Sequence, residues 1–221
     1  MGRLLQSFIH EGGFIVKIIT VCVGSAGTNA YILHDKQSLT GVVIDPGADA
    51  LQILAEITKR GLDIGAILLT HAHFDHIGAA DEVAEKLGIP IYASEYEAHA
   101  ASDPNLNGAA YFRRSDVMTT AVDILMPDTT LDIGDSKLQI IHTPGHTQGS
   151  LCFYAPAEGA LFSGDTLFRE SYGRYDLPSG DFAALKQSLA KLLALPESTT
   201  VYPGHGSTTT IGHERIHNER R

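Results

Sequence analysis

The segment LLTHAHFDHIGAA, residues 68–80, sets His71, His73, Asp75 and His76 within six positions, directly after an apolar run. Imidazole and carboxylate groups bind divalent metal ions. In extended chain, residues two apart project to one side, so His71 and His73 can reach the same ion. Three later segments repeat a layout of apolar strand, glycine turn and ligand-type residue. They are IIHTPGHTQGS with His146, LFSGDTLF with Asp165, and VYPGHGS with His205. Glycine in these turns allows close backbone approach or a positive φ. Taken singly, His146 or His205 reads more readily as a solvated loop residue or a hydrogen-bonded core histidine than as a ligand. Four such segments together read as a metal site.

A catalytic zinc takes three protein ligands and a water. The candidates His71, His73, Asp75, His76, His146, Asp165 and His205 are too many for one ion, whereas two ions sharing a carboxylate would use them all. Two ions about 3.5–4 Å apart can hold a bridging hydroxide with its pKa lowered to near neutral. The set contains no thiolate. It suits zinc and also accepts iron or manganese, so the metal stays open at this point.

Such residues need rigid elements to hold them. Apolar runs of strand length fall at 14–23, 30–33, 41–45, 66–70, 90–93, 137–143, 151–155, 160–164 and 200–204. Helical spacing predicts helices over 49–61, with Leu51, Leu54 and Ile57 in phase and a stop at Gly61, over 81–88, and over 182–195, closed by Pro196. Asp75 and His76 then lie where the chain turns into the helix starting near Asp81. The opening strands follow one another as in an antiparallel sheet, and helices and strands mix after residue 47. The expectation is a sheet-rich α/β sandwich in one domain, 14–221, preceded by an extension at 1–13. The candidate ligands would sit at carboxyl ends of strands, where open α/β sheets hold ligands.

Composition narrows the function classes. The net charge of −10, from 16 basic and 26 acidic residues, argues against nucleic acid as the main partner. No run of eighteen apolar residues occurs, so no membrane span is expected, and residues 1–13 lack a signal-peptide cleavage pattern. Cytoplasm is the expected compartment. Cys22 and Cys152 are far apart in strand-like runs and read as two buried, reduced thiols. His10, His34, His99, His142, His213 and His217 lack ligand context and read as structural or surface residues.

THAHFDHIG resembles the HxHxDH signature of the metallo-β-lactamase-fold hydrolases, and TPGHTQGS, SGDTLF and YPGHG resemble that superfamily's later motifs in the same order. The resemblance spans residues 14–214 and implies a four-layer αββα sandwich with the site at one edge of two facing sheets. It also implies that His71, His73 and His146 hold one metal, that Asp75, His76 and His205 hold a second, and that Asp165 bridges them. True β-lactamases of the commonest zinc class carry cysteine at the position of Asp165, and diiron flavoprotein relatives carry glutamate at that of His73, so both are disfavoured.

GTNAYIL (27–33), GRYDLPSGD (173–181) and the closing TTIGHERIHN resemble the glyoxalase II-like group. The activity implied is hydrolysis of a small-molecule thioester such as S-lactoylglutathione by a metal-bound hydroxide, with Asp75 orienting it. The helical C-terminal domain of classical members has no counterpart in the fifteen residues after Gly206, so the resemblance is to the shorter bacterial and archaeal relatives. The alternatives on this scaffold are a mononuclear iron persulfide dioxygenase, with His73, His146 and Asp165 as its triad, and a lactonase. A homodimer is compatible with either. For the substrate, Arg169, Arg174 and Tyr175 are candidates to meet a carboxylate or carbonyl. The competing expectation for Arg174 is an ion pair with Asp176 that braces a metal-binding loop. The 103–112 segment has loop composition and is a candidate border of the site.

Overall fold

All eight residues of Thr28–Asp35 are buried, where a strand with one solvated face would alternate. Successive side chains in that strand go to different cores. Ala30 and Ile32 enter one apolar cluster, and Tyr31 and Leu33 enter another. The same period-two routing sends Val43 one way and Val42 and Ile44 the other, and splits Cys152 and Tyr154 from Leu151 and Phe153. A sheet with two apolar faces must be covered on both sides, and the architecture follows from that need.

The structure, a computed structural model, describes residues 16–114, 117, 119 and 121–218. The extension expected at 1–13 lies outside them. In chain order the first half comprises β1 (Val16–Val23), β2 (Thr28–Asp35), β3 (Thr40–Ile44), α1 (Ala50–Arg60), β4 (Asp63–Leu68), α2 (Phe74–Ile77), α3 (Ala80–Leu87), β5 (Ile91–Ala93), α4 (Glu95–Ala100), a 3-10 turn (Ala109–Phe112) and β6 (Val122–Ile124). The second half comprises β7 (Thr130–Ile133), β8 (Ser136–His142), β9 (Leu151–Ala155), β10 (Ala160–Gly164), β11 (Leu167–Phe168), β12 (Ser171–Tyr172), α5 (Phe182–Leu193), β13 (Thr200–Pro203), β14 (Thr209–Thr210) and α6 (Ile211–His217).

One six-stranded sheet runs β1-β2-β3-β4-β5-β6, antiparallel as far as β3 and parallel beyond. The other runs β14-β13-β10-β9-β8-β7, with β10 and β13 parallel and the remaining pairs antiparallel. A hairpin of β11 and β12 stands apart. Three apolar clusters define the stacking. The first packs α1 and α3 on the first sheet through residues such as Ile53 and Val83. The second joins the two sheets through Tyr31, Leu68, Phe153 and Phe162. The third packs α5 and α6 on the second sheet through Leu185, Leu189 and Ile211. Three interfaces make four layers, the expected αββα sandwich.

Several local expectations change. In α1 the buried stripe is Ala50, Ile53 and Ile57, and Leu51 is 75% exposed because it lies about 100° around the helix from Ala50. Asp75 and His76 occupy their own short helix, α2, ahead of α3. Helix α5 ends at Leu193, short of Pro196. Cys152 is buried, but Cys22 is exposed, since Val21 and Val23 take the inward positions of the edge strand β1. Among the described residues, no helix is long and apolar enough to cross a membrane.

Candidate metal centre

The strands β4, β8, β10 and β13 deliver their carboxyl ends to one edge of the sandwich. From the first sheet, the chain after β4 brings His71, His73 and, on α2, Asp75 and His76. From the second come His146 after β8, Asp165 directly after β10, and His205 after β13. A positive φ at Gly164 makes the turn into Asp165, and a Cβ there would stand 2.4 Å from Thr70 Oγ1. Only glycine fits that corner.

All seven candidates come together, in two trios joined by one carboxylate. His146 Nε2 lies 3.2 Å from His71 Nε2 and 2.9 Å from His73 Nδ1. His205 Nε2 lies 3.3 Å from His76 Nε2 and 3.2 Å from Asp75 Oδ2. Asp165 spans the pair, with Oδ1 3.4 Å from His76 Nε2 and Oδ2 3.6 and 3.7 Å from His146 Nε2 and His205 Nε2.

The hydrogen bonds behind the rings set the tautomers. His146 Nδ1 donates to the Arg174 carbonyl at 2.6 Å, leaving a lone pair on Nε2. His76 Nδ1 donates to Asp45 Oδ2 at 2.9 Å. Thr70 Oγ1 donates to Asp45 Oδ2 at 2.6 Å, so it accepts from His71 Nδ1 at 3.0 Å. Lone pairs of His71, His146 and His76 therefore face one another and face carboxylate oxygens. The buried Asp165 Oδ1 has no hydrogen-bond partner among the described residues. Acceptors converging on acceptors, out of water, fit cations between them.

Electrostatics agree. Burial would lift the Asp165 carboxyl, but His76, His146 and His205 outweigh it and hold the pKa at about 2. Asp75 is likewise held low by His76 and His205 against its burial. Burial, with neighbouring rings, pushes His71 well below the ordinary imidazole value and His73 down to about 3, so both rings are neutral, the form that can bind a metal. At His76 burial lowers the pKa, yet Asp165, Asp75 and Asp45 together raise it well above normal. That position calls for positive charge, which a metal ion would supply in place of a proton.

Asp45 also belongs to this centre, although it stands outside the ligand motifs; GVVIDPG carries it at the end of an apolar strand, just before a turn. Its Oδ1 accepts from Thr70 N at 2.7 Å, and its Oδ2 accepts from both Thr70 Oγ1 and His76 Nδ1. It lies close enough to His71 and His76 to be a third ligand set with them. With both oxygens already accepting, it acts as the support of one histidine from each trio. Asp45→Asn keeps the shape but turns one acceptor into a donor facing a donor. Metal affinity is expected to fall about 10- to 100-fold, measured by chelator competition.

A cavity of about 440 Å³ opens over the centre, lined by His73, Asp75, His146, Asp165 and His205. Phe74, Phe112 and Leu177 supply apolar wall, and Arg114 and Arg174 are its cationic residues. The 103–112 loop does border the site, through Gly108 and Phe112. Arg174 reaches the cavity while its guanidinium donates to both carboxylate oxygens of Asp176 at 2.8 and 2.9 Å. Tyr175 is not among the residues lining the cavity and packs on the Phe182 ring at 4.7 Å. Arg169, exposed beside Glu170, does not line it either.

Residues 23–205 match the model of the metallo-beta-lactamase superfamily, and the chain belongs to that family. It is a metallo-hydrolase of that class. Among curated proteins it is 43% identical over 199 residues to "Probable metallo-hydrolase YqgX" of Bacillus subtilis, covering 89% of this chain and 93% of that one. It is 32% identical over 198 residues to "Hydroxyacylglutathione hydrolase GloC" of Haemophilus influenzae, covering 86% and 91%. Among solved structures it is similar to BLEG-1 B3 metallo-beta-lactamase, at 42% identity and a TM-score of 0.87 over 92% of this chain and 98% of that one. It is also similar to TTHA1623 in a di-iron-bound form, at 40% identity and a TM-score of 0.82 over 91% and 98%.

Proposed function

We propose that the protein hydrolyses a small-molecule thioester, S-lactoylglutathione or a related acyl-thiol conjugate, at a centre of two divalent metal ions, zinc in the first instance. In this reading His71, His73 and His146 hold one ion, Asp75, His76 and His205 hold the other, and Asp165 is shared. The observation that carries it is the cavity, in which His73 and His146 of one trio, Asp75 and His205 of the other, and Asp165 face one space with an apolar wall and cationic residues. The likeness to GloC supports the choice of thioester.

Bound metal ions supply a water of lowered pKa and Lewis-acid stabilisation of the carbonyl oxygen and the departing thiolate. The chain's own groups do the rest. Asp75 Oδ2 accepts from Thr28 Oγ1 at 3.3 Å and faces the cavity, where it orients the attacking water. The Phe74 and Phe112 rings, 5.1 Å apart, receive the acyl chain and exclude water from it. Arg114 and Arg174 attract the anionic end of the thiol moiety on an otherwise acidic protein.

A second reading, hydrolysis of a β-lactam amide, is favoured by the likeness to the B3 enzyme, which lies closer in sequence than GloC does. Elemental analysis of purified protein, followed by a panel of thioester, lactone, β-lactam and persulfide, separates the readings. Thiol release from the thioester, fastest of the panel and with two metals per chain, is the expected result. Ring opening of the β-lactam as the fastest reaction sinks the thioester reading. Oxygen uptake with the persulfide and one iron per chain assigns the protein to dioxygenase chemistry.

A further inference from the structure

Each trio draws ligands from both sheets. One combines His71 and His73 of the first sheet with His146 of the second, and the other combines Asp75 and His76 with His205. Affinity for either ion thus depends on how the two sheet edges are held together, because a ligand displaced by a fraction of an ångström no longer converges. Taking the two-metal reading as its basis, we propose that the two sites have separate inter-sheet ties: Glu97 positions the His71, His73 and His146 site, and Asn29 positions the Asp75, His76 and His205 site.

Glu97 lies on α4, fully buried and outside the cavity lining. Its Oε2 accepts from Ala72 N at 2.7 Å, the amide between His71 and His73. Its Oε1 accepts from Thr147 Oγ1 at 2.6 Å and from Gly149 N at 3.0 Å, in the turn that follows His146. One carboxylate therefore grips both halves of the site. The α4 cap residue Ser94 adds a hydrogen bond from its Oγ to the Gly149 carbonyl at 2.7 Å. The turn is pressed hard against α4, since a Cβ on Gly149 would meet Ser94 Oγ at 2.4 Å and Glu97 Oε1 at 2.8 Å. Burial pushes the Glu97 carboxyl pKa up, and the hydrogen bonds from Thr147, Ala72 and Gly149 oppose that push. The environment offers both oxygens donors, which is what a carboxylate requires.

Asn29 plays the corresponding part from β2. Its backbone N–H donates to the Gly204 carbonyl at 2.7 Å, and its Nδ2 donates to the Pro203 and Gly206 carbonyls, each at 3.0 Å. Those three carbonyls bracket His205 on both sides. The neighbouring Thr28 pairs with His205 as an isolated bridge and donates to Asp75 Oδ2, so the start of β2 holds ligands from both sheets. Asn29 does not line the cavity over the metal centre, so it too acts through the residues it holds.

A merely structural role for these two residues would weaken both sites alike, whereas separate ties weaken them one at a time. The test uses the full chain, stripped of metal and reloaded with cobalt(II). Cobalt-shifted imidazole N–H signals in the proton NMR spectrum report each site by number. Each metal-bound imidazole keeps a proton on its other ring nitrogen, which gives three signals from His71, His73 and His146, and two from His76 and His205. Wild type is expected to take up two cobalt ions and show both sets. Uptake of fewer than two overturns the two-metal reading and this proposal with it.

Glu97→Gln is expected to lose about 10- to 100-fold in affinity at the three-histidine site alone, keeping the two-signal set. Asn29→Ala is expected to do the reverse. With wild type loading normally, equal loss of both sets in either variant, or no loss in both, overturns the ties and leaves the two-metal reading standing. Metal-free melting temperatures should stay near wild type, while the rise on adding cobalt shrinks; a lowered metal-free value with unchanged affinities also overturns the proposal. Should Glu97→Gln fail to fold, Thr147→Val removes one of the three donors and is expected to show the same selective loss in smaller measure, with equal loss at both sites again counting against it.

Discussion

Asp165→Asn is expected to lower kcat/KM for the thioester by at least about a thousandfold, and to reduce the metal content of the purified protein at the same time. Asp165 is the one carboxylate, among the described residues, whose oxygens lie within 3.4 to 3.7 Å of histidine nitrogens from both trios. Its side chain is only 12% exposed, and its neighbours hold it ionised. Asparagine preserves the volume but removes the charge and one acceptor, and its amide N–H would point at ligand positions. The loss of several kcal/mol of metal-derived stabilisation, at about 1.4 kcal/mol per decade of rate, gives the expected magnitude. Elemental analysis and steady-state kinetics on one preparation check both effects. A variant with full metal content and an undiminished rate would remove Asp165 from the centre.

Gly204→Ala is expected to do comparable damage although the residue carries no ligand atom. A Cβ at 204 would lie 2.2 Å from Asp165 Oδ1 and 2.8 Å from His76 Cε1. Neither neighbour can give way cheaply. His76 is fully buried and fixed through Nδ1 to Asp45, and Asp165 must stay within reach of both trios. The backbone at 204 is held as well, its N–H donating to the Gly164 carbonyl and its carbonyl accepting from Asn29 N. The methyl group must therefore displace the two side chains, costing about 1–3 kcal/mol of stability by overpacking and most of the metal affinity. Gly206→Ala is the matched control. Nothing lies within 4 Å of its Cβ, so it bears only the strain of its positive φ and is expected to keep its metals. Metal content and thermal melting of the two variants, side by side, check the argument. Equal metal retention in both would refute it.

The seven site positions are legible because each follows an apolar strand, in three of the four segments through a glycine turn, and the nine strand-length runs all correspond to strands. Other elements were not readable for lack of length. β11, β12 and β14 have two residues each, and α4 has six polar and small residues with no apolar period. The buried side of α1 was misjudged because Leu51 and Ile53 are equally apolar, and only the sheet beneath the helix selects Ile53. Tyr175 shows the same limit, since its neighbours in sequence line the cavity while its own ring rests on Phe182.

The sequence by itself determined the chemical class of the site, the identity of the seven side chains that meet there, and the sandwich that holds them. Residue type and short-range spacing are enough for that, because a strand end places its own next few residues. The tertiary structure alone decided that Asp45 serves a histidine of each trio, that Glu97 and Asn29 lie where two sheets must be joined, and that Gly204 leaves room for Asp165. Those partners are separated by 25 to 177 positions along the chain. Contacts at such range depend on how two sheets pack face to face, and no local pattern records that packing.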